Sequence, residues 1–191
     1  MAKRPPATGV QSQRAPLRGA WIETSAASAA ATKVAKALVK HPVWKNALSG
    51  ALPSTQTAIL VQRLDHPDDY YYIVAFESGG RTTARMAIGG RDAQLLRCNA
   101  ISRAGSRLPP FVTPTGVLKS REGKPFGIGP ARERLMRRAA VGVHPVLVWK
   151  PCAESRSPLL PFYLLTVGDT VSYLRVDGKL YTVLRVPEFG R

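Results

Sequence analysis

Alternation of apolar and polar positions is densest in the last fifth of the chain, residues 145–186. Residues 145–149 and 162–167 are short apolar runs, and Gly168-Asp169 follows the second. Residues 170–176 set Val171, Tyr173 and Arg175 against Ser172, Leu174 and Val176. Residues 180–186 set Leu180, Thr182, Leu184 and Val186 against Tyr181, Val183 and Arg185. Between these two runs lies Asp177-Gly178, a pair that suits a type I′ turn because both central positions need φ > 0. Period-two runs punctuated in this way predict an antiparallel meander.

A similar order of signals stands upstream. Residues 25–39 are Ala-rich, with Ala31, Val34, Ala35, Leu38 and Val39 in one stripe and Lys33, Lys36 and Lys40 on the other side, the pattern of an amphipathic helix. Pro42 starts a second short helix through Leu48. Residues 57–64 read as a strand, 65–69 as a turn, and 70–77, apolar on both faces, as an inner strand. Residues 78–81 and the pair Gly89-Gly90 read as hairpin turns, with strands at 82–88 and 94–100. Residues 130–140 form a further helix candidate, with Pro130 at its first position and Ala131, Leu135, Met136 and Ala139 inward. The expected fold is α+β: two tandem helix-plus-antiparallel-meander units, an internal repeat, at 25–101 and 130–191. A basic Pro/Gly-rich linker, 102–129, joins them. Residues 1–24 hold Pro5, Pro6 and Pro16 and no apolar period, and are expected to be a disordered tail outside the core.

Composition adds partners to this picture. The chain has 191 residues and is 45% hydrophobic, enough for one domain or two small ones with a real core. Its formal charge is +16, and Arg supplies 19 of the 28 basic residues. A basic excess favours anionic partners, nucleic acid or acidic protein surfaces, although Arg-, Ala-, Gly- and Pro-rich composition is also what a GC-rich genome encodes. The charge concentrates in one region, where Arg103, Arg107, Lys119, Arg121, Lys124, Arg132, Arg134, Arg137 and Arg138 face only Glu122 and Glu133. These nine residues are the candidate nucleic-acid-binding set. Two cysteines, Cys98 and Cys152, form no disulfide framework and point to a reducing compartment. Each apolar run is interrupted by Pro, Gly or a charge before it reaches membrane-spanning length, so no membrane partner is expected.

Two resemblances stand beside this reading. Ala15-Pro16-Leu17-Arg18-Gly19-Ala20-Trp21-Ile22-Glu23-Thr24 resembles a translated CRISPR repeat that ends in GTGGATTGAAAC. TGG ATT GAA AC encodes the start of Trp-Ile-Glu-Thr, and Ala15-Pro16 and Gly19-Ala20 can be encoded by complementary hairpin arms. The resemblance implies a reading frame that crosses such a repeat, with Met1 a misassigned start or the tail an accident of the open frame. It implies nothing about the fold of the rest. The helix-plus-meander order is faintly similar to PepSY-like modules, which implies a peptidase inhibitor or partner.

Catalytic chemistry needs converging groups. His41, His66 and His144 each precede a proline and lack metal-ligand spacing. A Cys152/His144 pair has no third orienting group. Asp65, Asp68 and Asp69 supply oxygen for a hard cation but lack the EF-hand pattern. Trp149, Tyr163, Tyr173 and Tyr181 suit either a stacking platform or cross-strand core pairs. Residues 151–162, stiffened by three prolines, suit either a binding edge or an irregular crossover. The sequence therefore predicts no catalytic residue, cofactor or metal. It points to a non-enzymatic binding or regulatory protein of the bacterial cytoplasm, with nucleic-acid binding or a peptidase partner as alternatives.

Overall fold

Alanine at each inward position lets the first helix lie close against a sheet. The computed structural model describes residues 21–53, 58–103, 105–112, 142–144, 146–167 and 169–187. Helix α1 (Thr24–Leu38) buries Ala27, Ala31 and Ala35, spaced four apart on one face. Lys33, Lys36 and Lys40 are exposed. Helix α2 (Pro42–Leu48) starts with proline at its first turn and buries Ala47 and Leu48. The two helices cover Tyr72, Val74, Phe76, Ala84, Met86 and Ile88, forming a first core. Burying one such large side chain stabilises by about 1.5–3 kcal/mol.

The described strands are β1 (Leu52–Pro53), β2 (Ile59–Arg63), β3 (Tyr70–Ser78), β4 (Arg81–Gly89), β5 (Leu95–Ala100), β6 (Gly142–Val143), β7 (Leu147–Trp149), β8 (Phe162–Val167), β9 (Thr170–Arg175) and β10 (Leu180–Tyr181). They form one mixed sheet in the order β10-β9-β8-β7-β2-β3-β4-β5, with β1 added on β3 and β6 on β8. The β2–β7 pair is parallel, with Val61 opposite Leu147 and Arg63 opposite Trp149. All the other pairs are antiparallel. Strand β3 is apolar on both faces because each face has its own core. Tyr72, Val74 and Phe76 meet the helices. Tyr71 and Ile73 join Val61, Trp149, Cys152, Phe162 and Val176 in a second core.

Residues 105–112 strap the two halves together. The Leu108 N–H donates to Thr82 O at 2.8 Å, and the Val112 N–H to Val176 O at 2.9 Å. Between them the Arg85 guanidinium donates to Pro109 O and lies 4.2 Å from the Phe111 ring centroid. Burial lowers the Arg85 pKa to about 10, so the group is still a cation at neutral pH.

Several expectations are corrected. Gly79 and Gly80 do adopt positive φ, 57° and 70°, and make a two-residue hairpin turn. Gly89-Gly90 does not use that freedom. The next loop is closed by the Gly89 N–H to Gln94 O at 2.8 Å, and Ala93 carries the positive φ of 56°. Gly90 is needed for close approach instead, since a Cβ there would lie 2.6 Å from Tyr70 O. Asp177-Gly178 is not a type I′ turn, because among the non-glycine residues described only Ala93 has positive φ. The Gly178 N–H closes on Arg175 O at 2.8 Å, with Gly178 alone at φ 91°, so Val176 can turn into the core. Strand β10 stops at Tyr181 rather than Val186, because Ala153 and Glu154 capture the backbone of Arg185.

The expected tail ends sooner than residue 24. The Ile22 N–H donates to Gly90 O at 2.9 Å, the Tyr72 hydroxyl donates to Ile22 O at 2.9 Å, and Ile22 packs on the first core. The Trp21 ring meets Tyr70 edge-on at 5.0 Å, with the Arg91 guanidinium 5.0 Å from its centroid. The segment 21–24 is therefore part of the domain, while residues 1–20 lie outside those described. So does the expected helix at 130–140, and residues 113–129 of the expected linker.

Two measurements follow. Trp21→Ala and Ile22→Ala should each destabilise by about 1–2 kcal/mol, and removal of residues 1–24 should lower Tm by several degrees. Unchanged denaturation midpoints would place this segment outside the cooperative unit. Gly178→Val should cost more than about 1 kcal/mol, because a β-branched residue resists positive φ; equal stability would refute the turn geometry.

Candidate binding edge

The two ends of the sheet differ. At one end β10 is two residues long, and the chain after it folds back: the Ala153 N–H donates to Arg185 O at 3.0 Å, and the Arg185 N–H to Glu154 Oε2 at 2.9 Å. At the other end β5 is six residues long and pairs only with β4 among the described residues. Half of its backbone groups face away from β4, and no other described backbone reaches them.

Side chains along this edge follow from its register. Cys98 and Ala100 pack toward the helices on the first core, and burial raises the Cys98 thiol to about 11. Arg97 and Asn99 take the opposite face and are exposed. Arg97 pairs with Ala87 while Leu95 pairs with Ile88, so Leu96 is an extra, bulged residue. The bulge leaves Leu95 37% and Leu96 50% exposed, two consecutive leucines at the surface.

Guanidinium groups line the same end. Arg91 lies in the turn before β5 and Arg97 within it. Arg81, Arg103 and Arg107 lie beyond its far end, where Arg81 donates to Gly105 O at 3.4 Å. Arg81, Arg97, Arg103 and Arg107 are exposed, and among the described residues none of them is paired with a carboxylate. The sequence named Arg103 and Arg107 but missed Arg81, Arg97 and the edge itself. Leu95-Leu96 directly before an arginine was the available signal, since strict alternation predicts only one exposed side chain there. Lys119, Arg121, Lys124, Arg132, Arg134, Arg137 and Arg138 lie outside the described residues.

The remaining candidates resolve into internal structure. Asp65 and Asp69 are held by Arg63, with Arg63 Nη2 2.6 Å from Asp65 and Nη1 3.3 Å from Asp69. Although burial disfavours its charge, these bonds hold the Asp65 carboxyl below its ordinary value. They line an open cleft of about 510 Å³ with His66, Asp68 and Arg91, and their pairing with Arg63 gives the turn an internal cation. His41 stands at the N-cap position of α2 without a side-chain cap bond, His66 is exposed beside Asp65, and His144 Nδ1 faces Val146. Cys152 is buried and exchanges bonds with Ser155 instead, its Sγ accepting the Ser155 N–H at 3.2 Å. Trp149 meets Tyr71 edge-on, and Tyr173 and Tyr181 each meet Phe162, all at 6.1 Å. These are core pairs. Tyr163 also packs on the second core.

Residues 151–162 form an irregular crossover that packs Cys152, Leu159 and Phe162 into the second core. The Tyr71 hydroxyl donates to Pro158 O at 2.6 Å, and the Ser155 hydroxyl to Leu160 O at 2.8 Å. Glu154 is buried, and its carboxylate accepts from Arg185 Nε at 2.7 Å and from the Arg185 N–H at 2.9 Å. Burial opposes ionisation of Glu154, but these bonds outweigh it and hold the carboxyl below its ordinary value. A depressed folded-state pKa contributes stability above the unfolded value, lost as pH falls through the folded one. Glu154→Gln should therefore be less stable at neutral pH and lose less stability between neutral and acid pH. Parallel stability–pH curves for the two proteins would contradict this.

No family model matches the chain, and no curated protein or solved structure is detectably similar to it.

Proposed function

We propose that this chain is a non-enzymatic binding or regulatory protein, acting in a bacterial cytoplasm, that docks an anionic partner on the β5 end of its sheet. One observation carries the proposal: a six-residue strand is left open there, flanked by exposed arginines without carboxylate partners among the described residues. An unpaired edge is a template for another chain, and a one-sign rim selects and steers an oppositely charged one. The free thiols Cys98 and Cys152 suit a reducing compartment. Among the described residues no helix is long and apolar enough to cross a membrane.

The tandem arrangement belongs to this proposal. Strands β1 and β2 both pair with β3, which leads to β4 and β5. Strands β6 and β7 both pair with β8, which leads to β9 and β10. A parallel β2–β7 seam between two such sets corresponds to a twofold axis lying in the sheet. On this view the units are copies whose outer ends have diverged, one ending in a two-residue strand and the other in a six-residue strand.

A second proposal is nucleic-acid binding through the central basic segment, favoured by the exposure of Arg103 and Arg107 at the same end. Titration at several salt concentrations with labelled polyglutamate and with short duplex DNA tests both. The acidic-partner reading expects binding to polyglutamate that Arg97→Glu/Arg107→Glu weakens by about tenfold or more. The nucleic-acid reading expects a log–log salt slope near −4 on duplex, for roughly five phosphate contacts made by Arg121, Lys124, Arg132, Arg137 and Arg138. Polyanion binding indifferent to charge reversal at Arg97 and Arg107 would remove the β5 end from the account.

A further inference from the structure

We infer that the partner binds by strand addition: an acidic, extended peptide segment pairs along β5 and becomes the next strand of the sheet. This deepens the proposed docking at the β5 end and rests on it. The geometry separates a strand from other anions. The outer side of β5 offers both N–H donors and C=O acceptors in alternation, and among the described residues none is used. A peptide backbone satisfies both kinds of group, whereas a phosphate backbone brings acceptors and leaves the carbonyls unmatched.

The side chains suit the same occupant. Over six residues β5 spans about 20 Å, with Arg97 within it and Arg103 and Arg107 beyond it. A partner strand with carboxylates on alternate residues presents them along one face at roughly 7 Å intervals, within reach of these flexible side chains. Leu95 and Leu96, exposed by the bulge, give its apolar residues a contact at the other end. The regular run Arg97–Ala100 beyond the bulge supplies the ladder. Arginine at an edge also discourages pairing with a second copy of this basic chain, so the same residue admits an acidic strand and refuses self-association.

The test uses NMR titration of the full-length protein with three probes. The first is a peptide of alternating Glu and Val at least as long as β5. The second is the same peptide with alternate backbone nitrogens methylated, which keeps every charge and removes its ladder donors. The third is short duplex DNA. Strand addition expects the first peptide to shift the amide resonances of residues 95–100. It expects the methylated peptide to bind about tenfold more weakly or worse, and Arg97→Glu to weaken the first peptide. Equal binding of both peptides overturns strand addition and leaves docking by charge standing. Binding of DNA alone overturns the acidic-strand partner in favour of nucleic acid. If no probe perturbs residues 95–100, strand addition and the proposed docking surface fall together.

Discussion

The parallel seam between β2 and β7 holds the rest of this fold in place. It is short, three residue pairs from Val61–Leu147 to Arg63–Trp149, extended by the Leu64 N–H donating to Trp149 O at 2.8 Å. Yet it turns two meanders into one sheet. Val61, Leu147 and Val148 are buried on it, and the second core mixes Tyr71, Ile73 and Ala87 from one meander with Trp149, Phe162 and Val176 from the other. Separating β2 from β7 would expose both edges and divide that core. The strap at residues 105–112, anchored by Thr82 at one end and Val176 at the other with Arg85 between them, repeats the constraint.

A sheet built this way has two ends, and an unpaired strand at either one is a template for another chain. The β10 end is shortened and tied back through Glu154 and Arg185. The β5 end is left long, with a bulge and an arginine as its protection. Those two devices guard against self-pairing without closing the ladder. On the docking proposed above, a strand that brings carboxylates meets attraction where a basic strand meets repulsion.

What the sequence made legible was local. Alternation located β3, β4, β8 and β9 to within a residue or two, and the alanine stripe located α1, because period and burial coincide there. What it hid was non-local. The seam joins residues more than eighty positions apart, and a three-residue strand such as β7 carries no partner information. The docking of Trp21 and Ile22 depends on Gly90 lying against Tyr70, which no pattern near residue 21 announces. The last turn and the short β10 were misjudged for one reason: Val176 and Arg185 answer to the crossover at 151–162 rather than to each other's strands. At the candidate site, Arg103 and Arg107 were visible as charge, but an open edge is a property of the assembled sheet and has no local signature.

The central claim is that β5 is an open edge in the folded molecule, and residue-resolved amide hydrogen exchange of the full-length protein tests it most directly. The account predicts alternation within residues 95–100: amides directed to β4 protected like those of β3 and β4, and amides directed outward exchanging rapidly. Uniform slow exchange along β5, equal to that of β8 and β9, would mean that the edge is covered and would contradict it.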